Sequence, residues 1–339
     1  MNMSIIVPCF NCSLFLTTAL DSLRVQSLQD IEFICINDGS TDGTLDILQD
    51  YKQKDNRFKI INKHNTGYGD SVNIGISNSK GKYVAIFEPD DFVEPGMYND
   101  LFTIAENHNL DIVKCCYYDF NESTGDIYNE NSKIPKNTIL CPRDNMCIFL
   151  QSPKIWNAIY RKDFLLTNDI WFLPTPGAAF QDTSFHFKTN LMANRYFCTS
   201  KAYYHYRSHD SNSVKSPKYP YAVCTEFEEC ARYGIKVGRE QLLKSWLLEQ
   251  EFHTYKWNYI RLPPSEREKF IQYWRSEWLK LHQLGYGFMK KKLYLYLYLL
   301  LNFPKLFIYY LEKKSKQESK SQLNSLHRST KTNKRHIQK

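Results

Sequence analysis

Over the first 120 residues, short β-rich runs alternate with helical patterns, which restricts the chain to βαβ units assembled into a mainly parallel sheet. The runs are Ser4 to Val7, Ile31 to Ile36, Phe58 to Ile61, Tyr83 to Phe87 and Asp111 to Tyr117. Between the first two, Leu16, Leu20 and Leu23 fall at i, i+4, i+7 and give a helix one apolar face. After the second run, NDGSTDG (residues 37–43) is too polar for an element and rich in turn and capping residues. It predicts a loop feeding a helix that starts near Thr44.

In such a sheet the parallel strands deliver their C-terminal ends to one edge, where open α/β folds bind ligands. Polar clusters follow four of the runs: Pro8-Cys9-Phe10-Asn11, Asn37-Asp38-Gly39-Ser40, the stretch from Asn65 to Asn73, and Glu88-Pro89-Asp90-Asp91. The last gathers carboxylates, an arrangement that is costly unless a cation or hydrogen-bond donors offset the repulsion. Oxygen donors suit Mg²⁺ or Mn²⁺ together with substrate phosphates, so this turn predicts a metal-diphosphate site. A solvated acidic turn is the competing reading.

The remaining chain is patterned differently. Residues 121–137 are polar and turn-rich, predicting a loop or insertion. Asp182 to Met192 reads as a helix with Asp182 at its N-cap, and beyond Tyr219 long helical patterns carry Trp246, Phe252, Trp257, Trp274 and Trp278. Leu293 to Leu311 is nineteen residues of mostly Leu and Tyr, interrupted by Asn302, Pro304 and Lys305 and flanked by lysines. That composition suits a helix in the membrane interface better than a span. From Lys313 to Lys339 nine Lys and Arg face one acid, a net +8 that equals the formal charge of the whole chain. The body is therefore neutral, which argues against nucleic acid as a partner. The N-terminus shows no signal-peptide pattern, and the ten cysteines are scattered, so a cytoplasmic setting with reduced thiols is expected. Cys9 and Cys12 read as small buried residues at a strand end. No repeat at solenoid spacing is present.

The segments SIIVPCFN, INDGSTDGT, NTGYGDSVNIGI, GKYVAIFEPDDFVEPGM and FQDTSFHFK resemble, in order and spacing, those of the family 2 inverting glycosyltransferases with a GT-A fold, over roughly residues 1 to 215. The resemblance implies a Rossmann-like α/β domain that uses a nucleotide-sugar. It places Pro8, Phe10 and Asn11 at the loop lining the base, Asp38 on the uracil edge or ribose, and Asp70 and Asn73 toward the sugar and diphosphate. Glu88, Asp90 and Asp91 match the family's Asp-x-Asp-type cluster, with Asp90 and Asp91 as metal ligands and Glu88, in place of the commoner Asp, in a supporting or ribose-side role. Asn37 stands where many members carry a further Asp.

Asp182 matches the catalytic base. The neighbour that is usually Glu is here Gln181, so the expected carboxylate pair is reduced to one. A helix N-terminus and the missing neighbouring charge both favour the anion that a base requires. Tyr204 to His209, with Ser213, resembles the segment that often forms a lid over the diphosphate. Within it Arg207 would neutralise the leaving phosphate and His209 would approach the metal or phosphate, with surface salt bridging the competing reading for each. Trp156 and Gln181 fall on the acceptor side.

These matches imply a metal-dependent single displacement from a nucleotide-sugar, with a UDP-sugar as the leading donor, onto a saccharide acceptor of surface glycan synthesis, expected to be lipid-linked. A nucleotidyltransferase of similar fold and a non-enzymatic nucleotide-sugar binder at the membrane surface are the alternatives. The organisation expected is a GT-A domain over 1–215, a helical region over 216–289, a membrane-interface segment over 290–312 and a basic, disordered tail over 313–339. The protein is expected on the inner face of the cell membrane.

Overall fold

The computed structural model describes residues 1–129, 134–209, 219–288 and 290–313. The tail beyond Lys313 and the Ser213 match lie outside the described residues. The chain divides into two units, Met1–Gly238 and Arg239–Lys339.

The first unit opens with β1 (Met3–Cys9), α1 (Ser13–Arg24), β2 (Ile31–Asp38), α2 (Thr44–Lys54), β3 (Phe58–Lys63), α3 (Tyr68–Asn78) and β4 (Tyr83–Ile86). There follow β5 (Phe92–Val93), α4 (Met97–His108), β6 (Ile112–Asn121), β7 (Gly125–Asn129), β8 (Ile139–Leu140), α5 (Met146–Phe149), β9 (Ala158–Arg161), α6 (Lys162–Thr167), α7 (Asp182–Met192), β10 (Tyr196–Arg207) and α8 (Ala222–Lys236). One sheet runs β3-β2-β1-β4-β9-β6-β10-β5, with β7 on β6 and β8 on β10. The pairs β3-β2, β2-β1 and β1-β4 are parallel, as is β6-β10. Strand β9 lies antiparallel between β4 and β6.

Every residue of β1 and β2 is buried. Ile5, Val7, Phe33 and Cys35 share a core with Leu16, Ala19, Leu20 and Leu23 of α1. On the other face Gly75 of α3 comes so close to Ile6 and Ile36 that a methyl group there would lie 2.3 Å from the Ile6 side chain. Each fully buried Leu or Ile contributes about 1.5–3 kcal/mol, so helices on both faces hold the strand ends in fixed register.

Three features depart from the sequence reading. Residues 121–129 extend β6 and return as β7 in a hairpin. Tyr204 to Arg207 is the end of a twelve-residue sheet strand, β10, in place of a lid. The unit boundary falls after Gly238 instead of 215 because α8 packs on α7, where Glu226 Oε2 accepts the Ser184 N–H at 3.1 Å and Lys188 pairs with Glu229 at 2.9 Å.

The second unit comprises α9 (Glu240–Arg261), α10 (Pro264–Gln283) and α11 (Leu293–Asn302), with residues 304–313 again helical. Its core is aromatic: Trp274 meets Trp278 edge-on at 5.3 Å, with Phe252, Tyr255, Phe270 and Phe307 around Trp274. Trp278 Nε1 donates to Glu251 at 3.0 Å. The helix breaks at Phe303, so the apolar stretch forms no single rod. Leu293, Leu297, Leu300, Phe307 and Leu311 turn inward, whereas Leu295, Tyr298, Phe303 and Tyr309 are more than half exposed. Among the described residues no helix is long and apolar enough to cross a membrane, and no two cysteines form a disulfide.

Candidate active site

The C-terminal strand ends of the first unit surround a cavity of about 650 Å³. In the sheet order Pro8, Phe10, Asn11 and Asp38 line the β1–β2 end, Glu88 and Asp90 follow β4 with His209 beside Asp90, and Gln181 and Asp182 enter at the start of α7. Tyr117 of β6 and Tyr206 of β10, beyond β4 and β9 in the sheet order, form the far wall with Trp156 packed on both.

At the first end, Asn11 adopts φ 48° and its Oδ1 accepts the Thr41 N–H at 2.8 Å, tying the loop after β1 to the loop after β2. This leaves the Phe10 ring half exposed over the cavity. Asp38 is buried, and its carboxylate accepts the N–H groups of Thr66 at 2.9 Å and Gly67 at 3.0 Å as well as the Lys63 ammonium. Those bonds fix the turn into α3, where Gly67 has φ +106° and a Cβ would lie 2.5 Å from the Thr175 carbonyl oxygen. A side chain there is excluded by both conformation and space.

Asp70 and Asn73 do not line the cavity. Asp70 is bonded to Thr66 and lies 3.2 Å from Lys63 Nζ. Both polar atoms of Asn73 are committed to the Phe172 backbone, donating to its carbonyl at 3.0 Å and accepting its N–H at 2.9 Å. They brace the cavity from behind.

The acidic turn after β4 separates three carboxylates by environment. Glu88 accepts the Tyr68 hydroxyl proton at 2.5 Å, and burial together with the Asp90 charge pushes its carboxyl up to about 8. Asp90 faces the cavity with Oδ2 2.8 Å from His209 Nε2. Asp91 departs from the expected metal role. Its Oδ1 accepts the Arg207 N–H at 2.7 Å, it is 1% exposed, and it does not line the cavity. Burial holds the Asp91 carboxyl well above the ordinary carboxylate range. Among the described residues no three His, Cys, Asp or Glu side chains gather as a metal cluster. A carboxylate and an imidazole on an open cavity nonetheless suit Mg²⁺ or Mn²⁺ whose other ligands are phosphate oxygens and water.

Arg207 also lies elsewhere than its expected role requires. Its Nε donates to the Asp90 carbonyl at 2.9 Å, its terminal nitrogen pairs with Glu122, and its guanidinium sits 5.0 to 5.4 Å from the Phe15, Phe92 and Phe120 rings. It braces the Asp90-Asp91 turn and does not line the cavity.

Asp182 is the first residue of α7, one position inside the predicted cap, and lines the cavity. The N–H groups of the first turn stabilise its anion, but burial outweighs them and lifts the carboxyl to about 7. This reverses the direction expected from the helix terminus and the missing neighbouring charge, because desolvation by burial is the larger effect. Beside it Gln181 donates through Nε2 to the Thr175 carbonyl at 2.6 Å and hydroxyl at 2.7 Å, while its buried Oε1 has no hydrogen-bond partner among the described residues. Trp156 is 7% exposed and stacks on Tyr204 at 4.4 Å and Tyr206 at 5.3 Å, so it offers the cavity little free face.

Sequence reasoning missed Tyr68, Tyr117 and Lys154, all on the cavity wall. Tyr68 lay within NTGYGDSVNIGI and was legible as a residue one turn from Ser71; Tyr117 and Lys154 carried no local signal.

Residues 4–177 match the family model for Glycosyl transferase family 2. The chain is 32% identical to the putative glycosyltransferase EpsH of Bacillus subtilis over 218 residues and 30% identical to the uncharacterized glycosyltransferase YibD of Escherichia coli over 220. In each case the match covers 62% of this chain and 62% of the relative. Among solved structures, S. aureus TarS 1-349 in complex with UDP-GlcNAc superposes with a TM-score of 0.75 at 21% identity, covering 94% of this chain and 92% of that one, a likeness of fold.

Proposed function

The chain belongs to glycosyl transferase family 2, and we propose that it moves one sugar from a UDP-sugar to a saccharide acceptor with inversion at the anomeric carbon. The observation that carries the reading is a single cavity holding the aromatic and Asp38 end, the Asp90-His209 pair and Asp182. The UDP-GlcNAc complex of a protein with this fold supports the choice of donor.

Phe10 packs on the base and Asp38 accepts from its edge or from the ribose. Asp90 and His209 would hold a divalent cation, which when bound supplies positive charge against the leaving diphosphate. Glu88, protonated below about 8, keeps the Tyr68 bond without adding a second negative charge beside Asp90. Asp182 takes the acceptor hydroxyl's proton, and a carboxyl near 7 suits that task because it is substantially ionised at neutral pH yet basic enough to pull. Arg207 and Asp91 position the turn. No covalent intermediate is required, since the acceptor oxygen attacks as the diphosphate leaves.

The exposed Leu295, Tyr298, Phe303 and Tyr309, with Lys290 to Lys292 and Lys305 nearby in sequence, suit attachment to an anionic membrane surface, where a lipid-linked acceptor of surface glycan synthesis would be found. The test is nucleotide release from a panel of UDP-sugars with Mn²⁺, with and without chelator. Release of UDP that the chelator abolishes supports the reading; no UDP release, with pyrophosphate released in a parallel incubation with a nucleoside triphosphate and a sugar phosphate, would overturn it.

A further inference from the structure

The far wall of the cavity holds a cation that the proposed chemistry leaves unused. Lys154 lies in the segment before β9 and lines the cavity beside Tyr117, Asp119 and Tyr206. Its ammonium sits 4.4 Å from the Tyr117 ring centroid and donates to the Tyr117 hydroxyl. Burial pulls its pKa down, opposed by the charge of Asp119. Among the described residues no carboxylate lies within ion-pair distance of it, and Asp119 instead accepts from Asn129 Nδ2 at 2.8 Å. The backbone beneath is fixed: the Lys154 carbonyl takes the Lys114 ammonium, and the Ile155 carbonyl accepts the Tyr160 hydroxyl at 3.1 Å. A partly desolvated ammonium on a rigid wall, with an aromatic face in place of a counter-ion, gains most when an anion enters the cavity.

The position decides which anion. Asp38 is on β2 and Tyr117 on β6, four places apart in the sheet order, which is roughly 19 Å at one strand spacing per place. The nucleotide end is thus remote from Lys154, and the diphosphate belongs at Asp90 after β4, between them. In a single displacement the attacking hydroxyl approaches opposite the leaving diphosphate, from the side of the cavity away from the nucleotide.

We propose that Lys154, seated on Tyr117, is an acceptor-side anion site, so that the preferred acceptor is a sugar or polyol bearing a phosphate or carboxylate. Asp119 accepts from a hydroxyl of the same acceptor, and the Tyr206 ring flanks it. The acceptor role rests on the transferase reading, but the binding does not require turnover.

The full-length protein, saturated with UDP, is titrated with glycerol phosphate, glucuronate and glucose by ligand-observed NMR, using wild type, Lys154→Gln and Lys154→Arg. The expected result is at least tenfold tighter binding of an oxyanion-bearing probe than of glucose, lost in Lys154→Gln and kept in Lys154→Arg, with UDP affinity equal in all three. The ranking of glycerol phosphate against glucuronate identifies which oxyanion the site takes. Equal binding of charged and neutral probes by wild type overturns the proposal without reference to any variant. So does an unchanged preference in Lys154→Gln, or a loss of UDP affinity there, which would assign the ammonium to the donor. Failure of the UDP-sugar release assay alongside an intact probe preference would instead reject the transferase reading while the anion site stands.

Discussion

Replacing Asp182 by Asn removes the proposed base and also a carboxyl that folding holds under protest. Its folded pKa is about 7 against an ordinary 3.8. Below pH 3.8 both states are protonated and the group is neutral toward stability. As pH rises the unfolded chain loses the proton that the folded state retains, so stability falls until pH passes 7. At about 1.36 kcal/mol per unit the full penalty reaches about 4 kcal/mol above pH 7, of which a little over a third is already present at pH 5. These are ceilings, because part of the side chain faces the cavity. Asp182→Asn should therefore gain about 2–3 kcal/mol on wild type between pH 5 and pH 8, with any loss of first-turn hydrogen bonding common to both and cancelling. For a unit of this size that is about 5–10 °C in Tm. Calorimetric scans of both proteins at the two pH values give the difference directly, while transfer activity should drop about 10²- to 10⁴-fold. A stability advantage that does not grow with pH would refute the claim that burial dominates this carboxyl.

Gln181→Glu restores a carboxylate beside Asp182 and should move the midpoint of the activity–pH profile upward by about one unit; an unmoved midpoint would mean that the two side chains do not interact. Gly67→Ala forces a methyl against the Thr175 carbonyl in a left-handed turn and should cost about 1–3 kcal/mol of stability and weaken UDP binding, read by thermal melting and calorimetric titration. Leu295→Glu combined with Tyr298→Glu alters only exposed side chains of α11. It should leave the melting temperature unchanged and reduce binding to vesicles containing anionic lipid by at least tenfold; equal binding would show that another surface meets the membrane.

The parallel half of the sheet was legible because β1 to β4 and β6 are apolar runs bounded by turn residues, the first four followed by polar clusters at the same edge. Strand β9 is only AIYR, too short to announce itself, and its antiparallel insertion between β4 and β6 is decided by long-range pairing. Strand β10 escaped because a register shift between Cys198 and Ala202 breaks its alternation. Within the site, residue types were readable but their directions were not: Asp90 and Asp91 are adjacent, and only the β10 backbone, donating from Arg207, turns one away from the cavity. Asp182 was found at its helix start, yet its protonation depends on walls contributed by distant segments, which no local pattern records.

A single displacement with Asp182 as base is tested by the anomeric configuration of the transferred sugar, read by NMR during turnover across pH 6 to 8. The product should carry a configuration opposite to that of the donor, at a rate that rises about tenfold over that range as a carboxyl near 7 ionises. Retention of configuration would contradict it.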